Sequence, residues 1–262
     1  MNKLIYAIFI VIILIYYYKY ISNKPNLHFD QNIPNWAPIS TTHILFTRFK
    51  EPDISLILKP FINKENTKIF IYNKGDNNLS GIPNDTKNIN IINIPNLGWD
   101  SYAFLYHIIN NYNNLPDYIY NLHASAQYID SKYNLFIDLL NNNNKTYYGG
   151  KLVTCNLDFY LNTWSATYHL NKLINPNETY TISNIRPLEK WLLNKINIIP
   201  KFAKFDDSNI LYTWGGMFFV HKSKILLYPI SFYKELFKEI SVWQSEVNHY
   251  LERSWYILYG NE

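Results

Sequence analysis

The chain has a single cysteine, Cys155, among 262 residues, so an intrachain disulfide is excluded. A lone cysteine is more often a small buried side chain than a nucleophile, and no histidine lies at a spacing typical of a cysteine enzyme. The sequence also lacks a G-x-S-x-G segment and any clustered spacing of metal ligands. These absences disfavour a hydrolase built on a serine or cysteine nucleophile or on a metal.

An excess of charge of one sign is also lacking. Lysine and arginine number 24 against 20 aspartates and glutamates, which gives a net charge of +4 with no basic block. A balance of this kind does not indicate nucleic-acid binding. The length is sufficient for one large domain, since a domain of this size buries roughly 75% of the surface that its unfolded chain exposes.

The N-terminal residues have the features of a membrane anchor. Residues 4–18 contain no charged side chain, and Lys3 and Lys19 bracket them. As a helix this segment spans roughly 22 Å, which is shorter than the hydrocarbon core of about 30 Å. Three tyrosines at 16–18 and the two bracketing lysines extend its reach into the headgroup region. We therefore expect an uncleaved transmembrane helix over residues 1–21.

Two alternatives to the anchor stay open. A cleaved signal peptide needs small residues after the apolar run, where this chain has Tyr, Lys, Tyr and Ile at 18–21. A buried core helix conflicts with apolarity on all sides at a chain terminus.

The flanking lysines lie on both sides of the apolar segment and do not set its orientation in the membrane. Residues 22–40, with three prolines, are expected to form a stem, and 41–262 the folded domain.

The domain alternates strand-like and helix-like stretches. β-rich runs bounded by turn residues predict strands at 43–49, 68–72, 88–94 and 118–122. Apolar residues at helical spacing predict a helix capped by Asp100 or Ser101, and others at 52–62, 133–140, 231–240 and 243–259. Between 149 and 214 no clear pattern is present. The alternation favours an α/β fold with a mostly parallel sheet and helices on both faces.

Three polar segments follow predicted strands, at the edge of a parallel sheet where ligands bind. They contain Asn73 and Lys74, then Asn96, Gly98 and Asp100, and finally His123. The second segment precedes a helix, whose N-terminal N–H groups attract phosphate. The alternatives are that Gly98 only makes a turn, that Asp100 is only an N-cap, and that His123 is a structural histidine.

Two further features lie near the C-terminus. Gly215 and Gly216 either allow a substrate to approach the backbone closely or form a simple turn. Glu252 follows the apolar Leu251 on the last predicted helix, so it either faces a cleft as a base or pairs with Arg253 at the surface.

Taken together and in order, several segments resemble the family called domain of unknown function 3431. They cover nearly all of the chain from residue 43 onward. The matching segments are the first strand ending in Arg48-Phe49, YNKG at 72–75, NLGWDSYAFLYHIINNYNNLPD at 96–117, RPLEKWL at 186–192, GGMFFV at 215–220, P-x-x-F-Y at 229–233 and LERSWYILYG at 251–260. That family is similar to nucleotide-sugar glycosyltransferases with an A-type, Rossmann-like fold.

The resemblance implies a role for each candidate residue. Asn96, Gly98 and Asp100 would line the donor pocket, with Tyr72, Asn73 and Lys74 of the YNKG segment among the substrate-binding residues. His123 would lie at a strand end where such enzymes often place metal- or phosphate-binding groups. Gly215 and Gly216 would border the acceptor site, and Glu252 would be the general base.

The resemblance implies a membrane-anchored glycosyltransferase-like enzyme whose partners are a nucleotide sugar, a glycan or other hydroxyl acceptor, and the membrane. An anchor, a stem and a C-terminal domain are also typical of sugar transferases facing a Golgi- or ER-like lumen or another extracytoplasmic space. The family usually has Arg where this chain has Trp99, and Asp206-Asp207 is the nearest substitute for the Asp-x-Asp motif that holds Mn²⁺ or Mg²⁺. These departures keep a second hypothesis open, a catalytically inactive binding module with the same fold.

Overall fold

The structure is a computed structural model that describes residues 34, 36–38, 40–76, 81–83, 87–161 and 181–260. The predicted anchor lies outside the described residues, as does most of the predicted stem. Within the described part, no helix combines the length and the apolarity needed to cross a membrane. Residues 34–262 form one compact unit.

Eight strands in two sheets form the centre of this unit. The strands are β1 (Thr42–Arg48), β2 (Thr67–Asn73), β3 (Ile89–Asn93), β4 (Tyr118–His123), β5 (Tyr147–Tyr148), β6 (Leu152–Asn156), β7 (Asn209–Thr213) and β8 (Phe218–His221). The main sheet has the order β3-β2-β1-β4-β8-β5, and β6 pairs with β7 in a second sheet. The first four strands of the main sheet are parallel, whereas β8 runs antiparallel to both β4 and β5.

The described helices follow the strands along the chain. They are α1 (Ser55–Leu58), α2 (Trp99–Asn111), α3 (Asp130–Asn141), α4 (Leu188–Ile196), α5 (Lys222–Ile225), α6 (Ile230–Ile240) and α7 (Val247–Tyr259). Short 3₁₀ turns occur at Tyr112–Asn114, Ala124–Tyr128 and Lys201–Ala203. The prediction of a mixed α/β fold with a mostly parallel sheet is confirmed.

The predicted helix over 52–62 is wrong in extent. Only α1, with four residues, is helical, and turns follow it. Pro60 has no N–H to donate to the carbonyl four residues earlier, so the helix cannot continue through it.

Aromatic side chains cover the main sheet on both faces. Phe218 and Phe219 are adjacent on β8 and therefore point to opposite faces. The Phe218 ring lies 4.9 Å from that of Phe104 on α2 and 5.5 Å from that of Trp255 on α7. On the other face the Phe219 ring lies 4.9 Å from that of Tyr120 on β4. The sheet is therefore a buried central layer.

The second face also receives a residue from the predicted stem. Trp36 is 3% exposed, and its ring centroid lies 4.9 Å from that of Phe61 and 5.8 Å from that of Tyr120. Phe61 in turn contacts Phe136 of α3, at 6.1 Å between centroids. Packing of the domain thus includes Trp36, a few residues before the predicted boundary at 41.

A single buried carboxylate joins three chain segments near the start of α7. Glu246 is fully buried and accepts the backbone N–H groups of Leu161 at 3.0 Å and Ser183 at 2.8 Å. Its Oε1 also lies 3.1 Å from the guanidinium of Arg186. These bonds hold Leu161 and the segment 183–186 against the N-terminus of α7.

The strand order reverses between β1 and β4. The chain moves from β1 to β2 and β3 on one side, and β4 then pairs on the other side of β1. In parallel sheets a crevice forms at such a reversal, outside the carboxyl ends of the strands. Because β8 is antiparallel and Phe218 pairs with Asn121, the residues just before β8 lie at this same edge.

Candidate active site

A left-handed turn at this edge leads into α2. Gly98 has a φ of 56° and Trp99 a φ of 45°. A Cβ on Gly98 would lie 2.8 Å from the Cβ of Tyr102 and 3.0 Å from the carbonyl oxygen of Ile240, so only glycine fits. The N-terminus of α2 has no side-chain cap, which corrects the interpretation of Asp100 or Ser101 as an N-cap. The Asp100 carboxylate therefore does not cap α2.

Lys74 holds this turn in place. Its Nζ donates hydrogen bonds to the carbonyl oxygens of Leu97 and Trp99, and it lies 5.2 Å from the centroid of the Tyr102 ring. The residue is 7% exposed. Burial lowers the pKa of Lys74 to about 7, and the nearby Asp100 carboxylate opposes that shift. The resemblance assigns Lys74 to substrate binding. In the structure its ammonium instead stabilises the backbone of the turn before α2.

Asp100 pairs with His123 across the carboxyl ends of the strands. Asp100 Oδ2 lies 3.4 Å from His123 Nε2, and both side chains are about one-seventh exposed, at 14% and 13%. Burial would raise the pKa of Asp100, but the His123 imidazole and the Lys74 ammonium outweigh it and hold that pKa below its usual value. The carboxylate is therefore ionised at neutral pH.

The turn before β8 packs directly on this carboxylate. Gly216 has a φ of 68°, and a Cβ built on it would overlap Asp100 Oδ2. The Gly216 carbonyl accepts a hydrogen bond of 2.9 Å from Asn121 Nδ2, and Asn121 is fully buried. Sequence reasoning missed Asn121, although it lies two residues before His123 and so on the same face of β4.

Glu252 reaches the same turn from α7. Its Oε1 accepts the Gly215 N–H at 3.2 Å, and its Oε2 lies 3.6 Å from Nη1 of Arg253. Burial raises the pKa of Glu252; Arg253 opposes that shift and the Asp100 carboxylate adds to it. The Glu252 side chain is 20% exposed, so the alternative of a solvated surface ion pair does not describe it.

Lys132, which sequence reasoning missed, completes the group. It lies in the first turn of α3, and its Nζ is 2.9 Å from the Ser125 hydroxyl. Burial lowers the pKa of Lys132, and the carboxylates of Asp100, Glu51 and Glu252 oppose the shift. No sequence signal distinguished it, because a lysine in a first helical turn is usually solvated.

We call Asp100, His123, Lys132, Gly216 and Glu252 the strand-end cluster. The structure brings together four of the residues proposed from the sequence and adds the lysine. Two of them, Asp100 and Glu252, are carboxyl groups with opposite pKa shifts. Such a pair can hold one group ionised while the other takes up a proton.

Two other proposed residues have contacts elsewhere, and a third lies in the turn before α2. Tyr72 is 1% exposed, and its hydroxyl lies 2.7 Å from Nδ1 of His107 in the core. Asn73 accepts a hydrogen bond of 2.7 Å from the buried Arg48 and donates one of 2.9 Å to Asn93. Asn96 is half-buried in the turn before α2. The first two therefore stabilise the sheet and its carboxyl edge.

The strand-end cluster offers few ligands for a divalent cation. Asp100 and His123 are of the right type but contact each other, and Lys74 and Lys132 add positive charge beside them. In the described ranges, no three His, Cys, Asp or Glu side chains converge. Asp206, the nearest substitute for the missing motif, accepts hydrogen bonds within its own exposed turn. These donors do not fit a cation held by the protein alone.

A groove of about 470 Å³ lies apart from this cluster, along α6 and residues 181–185. Its central ionisable groups are paired: Glu239 contacts the Lys195 ammonium and accepts a hydrogen bond of 2.8 Å from the Trp191 indole. The central charges of this groove are therefore paired with each other.

No family model, curated protein or solved structure matches the chain. The resemblance to the domain of unknown function 3431 family stays a prediction from the sequence segments. The function is therefore inferred from the strand-end cluster and from its place in the sheet.

Proposed function

We propose that this protein is a membrane-anchored glycosyltransferase that moves a sugar from a nucleotide diphosphate sugar to an acceptor hydroxyl. The observation that carries the proposal is the convergence of Asp100 and Glu252, with opposite pKa shifts, on the turn at Gly215 and Gly216. The order β3-β2-β1-β4 supports a Rossmann-like, A-type arrangement in which the nucleotide binds at the strand reversal.

In the proposed reaction Glu252 is the general base. The acceptor oxygen attacks the anomeric carbon and its proton passes to Glu252, while the bond from that carbon to the diphosphate breaks and the diphosphate keeps the electron pair. A raised pKa makes Glu252 a stronger proton acceptor than an ordinary carboxylate. Asp100 stays ionised and contacts the donor sugar, with its position fixed by His123 and Gly216.

Location forms part of the proposal. An anchor over 1–21, a stem over 22–40 and a C-terminal catalytic domain would place the reaction at a membrane surface, on its lumenal or extracytoplasmic side. This arrangement suits an acceptor that is itself a glycan or another hydroxyl compound passing through that compartment.

A second candidate is a binding module that keeps the fold without the chemistry. Two observations favour it: the Lys74 ammonium is engaged by backbone carbonyls, and Trp99 packs edge-on against His249 at 4.6 Å where the family usually has a cation. In this case nucleotide sugars bind but no sugar is transferred.

Isothermal titration of the full chain with a panel of nucleotide diphosphate sugars tests the first step. Each titration is run with Mn²⁺ and with a chelator, because the resemblance implies Mn²⁺ or Mg²⁺. Binding followed by transfer to a mixture of glycan acceptors supports the enzyme. Binding without transfer or hydrolysis supports the module, and absence of binding under both conditions refutes the glycosyltransferase proposal.

Glu252→Gln tests the role of the base. Loss of a general base lowers the rate by roughly 10²–10⁴-fold, whereas donor affinity should change little because the amide keeps the shape of the side chain. Glu235→Gln, an exposed carboxylate on α6, is the matched control. In the wild type the rate should fall on acidification, with a midpoint above the usual glutamate value. A Glu252→Gln variant with unchanged kcat would contradict the assignment.

A further inference from the structure

Two adjacent leucines in the loop between α5 and α6 are exposed to solvent. Leu226 is 51% exposed and Leu227 is 61% exposed. Beside them the rings of Tyr228 and Phe232 stack at 4.6 Å between centroids, and both side chains are only half-buried. We call these four residues the apolar tip. An exposed apolar group of this kind marks a contact surface for a membrane or for another protein.

The apolar tip lies at the edge of the main sheet where the parallel strands begin, which we call the amino edge. Because β8 runs antiparallel to β4, α5 follows β8 at this edge. The Lys222 N–H donates to the Asp117 carbonyl at 2.8 Å, and the Asp117 carboxylate accepts two hydrogen bonds from Thr41, directly before β1. Residues 1–40, which contain the predicted anchor and stem, therefore join the sheet at the same edge as the tip.

The amino edge carries an excess of positive charge. Among the described residues within three positions of the strand ends at this edge, the acidic side chains are Glu65 and Asp117, and the basic ones are Lys64, Lys68, Lys87, Lys145, Lys222 and Lys224. Lysines beside exposed leucines and aromatic rings match headgroup phosphates beside acyl chains. The charge and the place where the chain enters therefore favour a bilayer over a protein partner.

We propose that the apolar tip inserts into the interfacial region of a bilayer while the lysines of the amino edge contact headgroup phosphates. This docking rests on the membrane location that we propose and does not depend on sugar transfer. It also sets the direction in which the strand-end cluster faces. β4 has six residues and ends at His123, so the cluster lies about 20 Å from the amino edge. The docked domain presents the cluster to the aqueous side, where it meets a water-soluble acceptor rather than a lipid-linked one.

The test uses the full chain in nanodiscs with one copy per disc, a fluorophore on one introduced cysteine, and Cys155 replaced by serine. Leu227→Cys places the label in the apolar tip. Phe49→Cys is the matched control, because Phe49 is an exposed apolar residue directly after β1 and so lies at the opposite edge. Lipids brominated in their acyl chains quench a label that lies in the hydrocarbon region. We expect quenching of the label at 227 and none at 49.

Lipid composition tests the contribution of the lysines. One lysine near an anionic surface contributes about 1 kcal/mol, which is roughly fivefold in the docking equilibrium. In discs that contain phosphatidylserine, Lys68→Gln combined with Lys87→Gln should therefore lower the ratio of docked to undocked domain roughly 30-fold. Lys50→Gln combined with Lys190→Gln removes the same charge from exposed positions outside the amino edge and should leave the ratio unchanged.

Three results overturn the inference. A label at 227 that stays unquenched in a chain retained by the discs rejects the docking and leaves the anchor in place. Loss of the chain from the discs rejects the membrane location itself. Emission at 227 that depends on protein concentration in detergent assigns the apolar tip to a second copy of the chain. Quenching at 227 without any sugar transfer retains the docking and rejects the transferase. If Leu227→Cys fails to fold by circular dichroism, the label is placed by Leu226→Cys.

Discussion

Replacing Gly216 by alanine tests whether the turn before β8 positions Asp100. An alanine with a positive φ costs about 1–2 kcal/mol, because the left-handed region is unfavourable for residues with a Cβ. The new methyl group would also overlap Asp100 Oδ2, so the carboxylate must move away from His123. We expect this displacement to cost about 1–2 kcal/mol more, because it separates the Asp100–His123 ion pair and leaves a buried carboxylate oxygen without that partner.

Gly215→Ala is the matched control for this variant. Gly215 also has a positive φ, of 94°, but a Cβ there would meet only Leu135, at an ordinary distance of 3.8 Å. Both variants therefore carry the backbone penalty, and only Gly216→Ala displaces Asp100. For a domain of this size, an extra 1–2 kcal/mol lowers Tm by about 2–8 °C relative to the control.

Thermal unfolding and donor titration measure the two consequences separately. Gly216→Ala should have a lower Tm than Gly215→Ala, and it should lose affinity for nucleotide sugars that the control keeps. Equal Tm values and equal affinities for the two variants would show that Gly216 does not fix the carboxylate, and the geometry of the strand-end cluster would have to be rejected.

Two further predictions concern buried charge. Burial holds the pKa of His43 at about 4 and that of its partner His107 well below 6.5, so below pH 6.5 the unfolded chain binds protons that the folded chain does not. Stability should fall on acidification from pH 6.5 to 4, by up to about 1.4 kcal/mol per pH unit for each proton; urea midpoints that stay constant over this range would contradict it. Glu246→Gln leaves the Arg186 guanidinium without its carboxylate and should lower stability by about 3 kcal/mol or more. The measurement is Tm, with Glu235→Gln as the control. Equal Tm values for the two variants would contradict the stabilising role of the Glu246 carboxylate.

The elements that the sequence predicted best are those with local signals. Strands β1 to β4 are apolar runs that end at turn residues, and α2 has an apolar stripe at helical spacing, so their positions follow from nearby residues alone. The antiparallel direction of β8 and its pairing with the two-residue β5 depend on distant partners. No local pattern determines such pairing.

The candidate site was predictable where a residue follows a strand or lies in a conspicuous turn. Asp100, His123 and Gly216 belong to this class. Asn121 and Lys132 do not, because a polar residue within a strand or on a helix is ordinary until its neighbours are known. The orientation of Asp100 was also not predictable, since it follows from the left-handed turn that Lys74 holds.

The carboxylate of Glu246 also has a consequence for how the chain can vary. Because Leu161 and Ser183 donate to the two oxygens of one side chain, a substitution at residue 246 leaves two buried or half-buried N–H groups without their acceptor at the same time. A sequence that loses this carboxylate therefore has to replace two backbone contacts at once, so we expect residue 246 to vary less freely than its neighbours on the surface of the domain.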